Sequence, residues 1–161
     1  MWPGMARARS LARWPVDTSK GGGVHPFHME SITAGSDCAV LRIDGDIDVY
    51  AAPQIRDRVT GLAGTGTVHV IADLRGAGFL DSAGLGALVG SRAELRARGG
   101  SLTVVASGDR ILQTLRIAGV SDVFVLHSRV PDAIAADRRW QAAISGEGDS
   151  TAGWCRKHGL L

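Results

Sequence analysis

The stretch that most constrains this chain runs from Val68 to Leu88. The apolar, β-branched segment Val68-His69-Val70-Ile71-Ala72 is followed by Phe79-Leu80-Asp81-Ser82-Ala83-Gly84-Leu85-Gly86-Ala87-Leu88. The pattern predicts a buried strand, a short loop and the start of a helix. A small hydroxyl beside an acid places Ser82 at or next to the helix N-cap, with its Oγ accessible. The first backbone N–H groups of a helix lack intrahelical partners and favour an anion. That setting suits a phosphorylatable switch better than a catalytic nucleophile.

The rest of the middle alternates in the same way. Residues 31–33 are expected as an edge strand and residues 38–43 as a second strand, broken by Asp44-Gly45-Asp46. Residues 52–62 follow as a helix, with Pro53 in its first turn, where the missing N–H costs little. In that helix Ile55, Val59 and Leu62 form one stripe and Arg56, Asp57 and Arg58 face water. The strand over residues 68–74 comes next. The helix from Ser82 or Ala83 turns Leu85, Leu88, Val89 and Leu95 inward and ends in Arg96-Ala97-Arg98-Gly99-Gly100, cations before glycines. A strand over 102–106, a helix over 109–118, a short strand over 123–126 and a helix over 130–136 complete the alternation. Strands alternating with helices predict an α/β domain with a mainly parallel sheet and right-handed crossovers.

Two blocks carry a family resemblance. Asp81-Ser82-Ala83-Gly84-Leu85-Gly86 resembles the phosphorylation motif of the STAS-domain anti-sigma-factor antagonists. Upstream, Ile43-Asp44-Gly45-Asp46-Ile47-Asp48-Val49-Tyr50-Ala51-Ala52-Pro53 is similar to the strand-and-loop signature that precedes the first helix in that family. The resemblance spans residues 29–137. It implies a single STAS-like domain, a mixed, mostly parallel sheet of four to five strands with helices packed against it. It also implies a partner-switching role. The unmodified form would bind an anti-sigma factor that is also a serine kinase and so release the sigma factor. Phosphorylation of Ser82 would weaken the complex, and a serine phosphatase would restore it. The chain itself would be no enzyme and need no cofactor. Ala83 departs from the Ser or Thr often found there, which removes a second candidate hydroxyl.

Other residues keep two readings. Asp46, Asp48 and Asp81 are either part of the switch surface, as the resemblance implies for Asp48, or ordinary loop and capping acids. If Asp46 and Asp48 leave their strand at its C-terminal end, they approach the Ser82 loop. Gly84, Gly86 and Gly90 thin one side of a helix, either for close packing or to offer a flat face to a partner. The expected partner-binding set is Asp46, Asp48, Tyr50, Asp81, Gly84, Leu85 and Gly86. An alternative function is a STAS module that binds a small ligand or acts as a scaffold in a signalling or transport assembly.

Charge and composition exclude several classes. Arg7, Arg9, Arg13 and Lys20 against Asp17 give residues 1–28 a charge of +3, while residues 29–137 carry −3. A mildly acidic middle argues against direct nucleic-acid binding, which needs a clustered basic face. No apolar run approaches bilayer-spanning length, and Cys38 and Cys155 lack metal-ligand spacing. The expected location is the cytoplasm, with both thiols reduced. His69 falls in a core strand and is expected to be structural. No HExxH, GxSxG, P-loop or dinucleotide pattern occurs. Residues 1–28 are expected as a flexible N-terminal extension and residues 138–161 as a flexible C-terminal tail, on either side of the 29–137 domain.

Overall fold

The computed structural model describes residues 26–161. Five strands form one sheet in the order β1-β2-β3-β4-β5. They are β1 (His28–Ala34), β2 (Cys38–Ile47), β3 (His69–Leu80), β4 (Ser101–Val105) and β5 (Val125–His127). β1 runs antiparallel to β2, and every other neighbouring pair is parallel. The expected mixed, mostly parallel sheet is therefore present. Helices α1 (Ala51–Gly64), α2 (Ser82–Ala97) and α3 (Asp109–Ile117) make the crossovers between the parallel strands. The expected N-terminal extension lies outside the described residues up to Val24-His25; Phe27 already packs on the core and His28 opens β1.

Side-chain alternation along the strands sorts the interior into two layers. On one face Leu41, Ile43, Val70, Ala72, Leu102 and Val104 meet the buried stripes of the crossover helices, Ile55 and Val59 of α1, Leu88 and Leu95 of α2, and Ile111 and Leu115 of α3. Helices on one face, with strands in sequential order, are what successive right-handed crossovers in one direction require. Val89, expected to face inward, is instead 37% exposed. The buried stripe of α2 runs through Gly84, Ala87, Leu88, Ser91 and Leu95, and the next residue after Leu88 is rotated about 100° away from it.

The opposite face carries Ile32, Ala34, Cys38, Val40, Ile71 and Val105, and it is closed by the C-terminal part of the chain. Residues 138–161 do not form the expected flexible tail. After α4 (Val130–Ala135) come α5 (Arg138–Gly146) and α6 (Thr151–Lys157). Trp140, Ile144, Trp154, Cys155 and Leu160 are all at most 1% exposed. Trp140 and Trp154 meet edge to face, with ring centroids 5.9 Å apart. The tail reading failed because single tryptophans in short, glycine-separated segments show little periodicity. Their burial depends on an apolar sheet face that only the assembled sheet creates.

Polar groups reinforce this docking. Arg42 Nη2 of β2 donates to the carbonyls of His158 (3.0 Å) and Gly159 (2.7 Å), at the C-terminal end of α6, where a cation also complements the helix dipole. Arg75 Nη2 and Nη1 of β3 donate to Leu160 O (3.1 Å) and Leu161 O (3.3 Å). Gly159, at φ +69°, takes the left-handed turn that brings these carbonyls round to the arginines. Arg75 is itself held by the buried Asp73, through Nε to Oδ1 and Nη2 to Oδ2, both at 2.9 Å. Hydrogen bonding to Asp73 raises the pKa of the guanidinium further above its already high ordinary value.

Two strand boundaries also differ from expectation. β2 does not break at Asp44-Gly45-Asp46 but continues to Ile47, and β3 continues to Leu80, so that Asp81 alone joins it to α2. His69 is buried as expected, with Nδ1 3.0 Å from Ser101 Oγ.

Arg75→Ala should lower unfolding free energy by about 3–5 kcal/mol, because it strands the buried Asp73 carboxylate. Breaking the exposed Arg98–Glu94 pair (3.4 Å) with Arg98→Ala should cost about 0–1 kcal/mol. Denaturant melts compare the two. Burial pushes the Cys38 thiol up to about 12, and it raises the Cys155 thiol as well. Both should resist alkylation at pH 8 in the folded protein and react at once in denaturant, as thiol titration would show.

Candidate functional site

The candidate site forms where β2 and β3 end side by side. Asp46 pairs with Phe79 and Ile47 with Leu80 in the parallel register, and the Asp81 N–H donates to Ile47 O at 3.1 Å. The loop leaving β2 is thereby fixed against the start of α2. This places Asp46 and Asp48 beside the Ser82 loop, as strand ends in a parallel sheet require.

Each loop is organised by an aspartate. Asp48 Oδ1 accepts the N–H groups of Tyr50 and Ala51, both at 3.0 Å, and Asp48 O accepts from Ala51 and Ala52. The α1 N-terminus is thus capped from three residues before its start. Asp81 is the N-cap of α2, its Oδ1 accepting the Gly84 N–H at 2.9 Å. Ser82 therefore occupies the first helical position rather than the cap, and it is exposed. Asp48 and Asp81 are thus capping acids at the sheet edge that also carries Ser82.

Gly84 is buried, and its role is packing. A Cβ there would lie 2.6 Å from Ile47 Cγ2, 2.7 Å from Ile47 O and 2.9 Å from Leu80 Cδ1. Only the absence of a side chain lets α2 start hard against the end of β2. Gly86 is exposed and has open space beside it. Ser82, Gly86 and Val89 are spaced along one side of α2, and Leu85 is half-buried against the core. Gly90 lies under the Arg56 guanidinium of α1, which closes the flat face one turn further on.

Exposed apolar side chains gather on the same loops. Tyr50 is 80% exposed, Val49 56% and Phe79 41%. Val49 and Phe79 lie outside the expected contact set. Val49 lies just after β2 and Phe79 near the end of β3, and neither is covered by the core. Apolar groups around an accessible hydroxyl make a surface suited to protein contact. Among the described residues, no cluster of three or more His, Cys, Asp or Glu is placed to hold a metal ion.

Comparison with known proteins bears on the family and the fold. The STAS domain family matches residues 31–133. An anti-sigma-B factor antagonist of Bacillus subtilis is 33% identical over 89 residues, covering 55% of this chain and 81% of the relative. One from Staphylococcus aureus is 29% identical over 83 residues, covering 52% and 77%. Among solved structures, an anti-sigma factor antagonist from Mycobacterium paratuberculosis superimposes with a TM-score of 0.63 at 24% identity, over 70% of this chain and 95% of its own. The Bacillus cell fate determinant SpoIIAA in its phosphorylated form gives 0.53 at 22% identity, over 69% and 98%. The structural matches speak for the fold, while the family match and the sequence relatives carry the kinship: the chain belongs to the STAS-domain family and is related within it to the anti-sigma-factor antagonists.

Proposed function

We propose that this protein is an anti-sigma-factor antagonist that works by partner switching in the cytoplasm. Its unmodified form binds an anti-sigma factor with serine kinase activity, which frees the sigma factor for transcription. Phosphate placed on Ser82 dissolves that complex, and a serine phosphatase resets it. The chemistry belongs to the kinase and phosphatase; this chain contributes a binding surface and an acceptor hydroxyl. The observation that carries the reading is the exposed Ser82 at the first position of α2, on loops that also present Tyr50, Val49 and Phe79.

Electrostatics favour a switch in the interface rather than in the fold. A phosphoserine carries a charge of about −1.5 to −2. At a helix N-terminus such a charge is locally favoured, typically by about 0.3–1 kcal/mol. The neighbouring Asp48 and Asp81 carboxylates oppose it, but their charge is already engaged by capped N–H groups. These local effects nearly offset one another. In a partner interface the same charge must be paired or desolvated, and an unpaired buried charge costs several kcal/mol. The interface term wins.

Incubation with the cognate kinase and ATP should place phosphate on Ser82, located by mass spectrometry, and Ser82→Ala should abolish it. Ser91 is buried inside α2 and Ser101 is half-buried against His69, so neither offers an accessible hydroxyl. Undiminished labelling of Ser82→Ala would overturn the assignment. Ser82→Asp should leave unfolding free energy within about 1 kcal/mol of the unaltered protein. It should weaken partner binding by about a hundredfold, read by calorimetric titration. Because aspartate imitates phosphate imperfectly, the phosphorylated protein is titrated alongside it, and unchanged affinity there would refute the switch.

A further inference from the structure

On the way to the Ser82 loop, β3 contains two more residues than the β2 segment it pairs with. From Arg42↔Asp73 to Asp44↔Gly76, two steps of β2 face three of β3; from Gly45↔Ala77 to Asp46↔Phe79, one step faces two. Each is a bulge in β3, and a bulge re-aims the strand beyond it. The first contains Arg75. Asp73 Oδ1 accepts both the Arg75 backbone N–H (3.2 Å) and its Nε (2.9 Å), which staples the bulge locally. The same guanidinium reaches the carbonyls of Leu160 and Leu161 at the end of the C-terminal cap. One side chain belongs to the bulge and to the cap at once.

Beyond this point the register is held by the ladder with β2 and by the buried Leu80 of the helix-covered core, and the glycines add nothing to it. Gly76 and Gly78 are exposed and bring no side chain to pack. Phe79 is 41% exposed, and Leu80 leads directly into Asp81 and Ser82. The cap helices α5 and α6 lie outside the residues matched by the family, 31–133. The cap end of this tether thus lies outside the matched residues.

We propose that Arg75 is a positioning residue through which the C-terminal cap holds the β3 bulge, and with it the loop that presents Ser82. Its consequence for signalling rests on the phosphoswitch reading; the coupling itself does not. Cap docking and loop geometry share one hydrogen-bonded group, so loosening the cap frees the bulge to relax and disorders the presentation of Ser82.

Amide hydrogen exchange on the full-length chain tests this with Gly159→Ala and Leu160→Ala, neither of which alters a residue of β2 or β3. The first disfavours the left-handed turn that aims the clamped carbonyls, and the second removes a fully buried anchor. Exchange over residues 151–161 should rise, and exchange over 76–84 should rise with it by about threefold or more, while β4 and the interior of α1 stay unchanged. Arg75→Lys, which keeps a cation beside Asp73 but loses the fork, should loosen both segments together. A loosened 151–161 with unaltered 76–84 overturns the coupling. So does a uniform rise across all elements, or the absence of loosening in both cap variants. The rate of Ser82 labelling by the kinase, measured on the same proteins, should follow exchange at 76–84. If the unaltered protein is not labelled at Ser82 at all, the phosphoswitch fails, while the exchange pattern still decides the coupling.

Discussion

The parallel pairing of β2 with β3 is the interaction on which the rest of this structure depends. It runs from Cys38↔His69 to Ile47↔Leu80 and takes up two bulges on the way. At its start both strands are buried on both faces, and there the crossover helices and the C-terminal cap find their apolar seats. At its end the strands become polar and glycine-rich, and there the switch loops emerge. A single pair of strands thus serves as core at one end and as presentation device at the other. The bulges mediate the change, since extra residues in β3 twist the ladder and turn Phe79 outward beside the exposed Ser82.

Aspartates do most of the local organisation at that end. Asp48 and Asp81 spend their hydrogen-bonding capacity on the starts of α1 and α2, worth roughly 1 kcal/mol each as caps. Asp73 does the same for the β3 bulge with the help of Arg75. The difference lies in burial. Asp73 is 2% exposed and depends on its paired guanidinium, whereas Asp48 and Asp81 are half-buried and remain hydrated in part. A site built from capped, half-hydrated carboxylates tolerates a new phosphate without unfolding. That tolerance is what a reversible switch needs.

Much of this was legible in the residues themselves. The strand over 68–74, the helix starting at Ser82 and the glycine-terminated end of α2 follow from β-branched runs, a small polar cap and cations before glycine. The proximity of Asp46 and Asp48 to Ser82 follows from the rule that parallel strand ends gather on one edge. Other features were not legible. Asp44-Gly45-Asp46 has the composition of a turn, yet β2 passes through it, because pairing with β3 satisfies its backbone groups. Gly84 and Gly86 look equivalent in the motif, but one faces Ile47 and Leu80 and the other faces open space. The tail reading of residues 138–161 missed Trp140 and Trp154, whose burial comes from a cluster that includes residues far away in sequence on the sheet, among them Cys38, Val40, Ile71 and Val105.

By itself, then, the amino-acid order determined the alternation of strands and helices, the two motif blocks and the placement of a hydroxyl at a helix start, because these depend on local propensity and short-range hydrogen bonding. Tertiary structure alone decided which glycine packs, which apolar side chains stay exposed near Ser82, and that the C-terminal segment is a cap rather than a tail. Those outcomes depend on what lies across the sheet. Burial of Trp154 requires the face made by Val40, Ile71 and Val105, and the clamp on residues 158–161 requires Arg42 and Arg75 to arrive on adjacent strands. No window of local sequence contains both halves of such a contact.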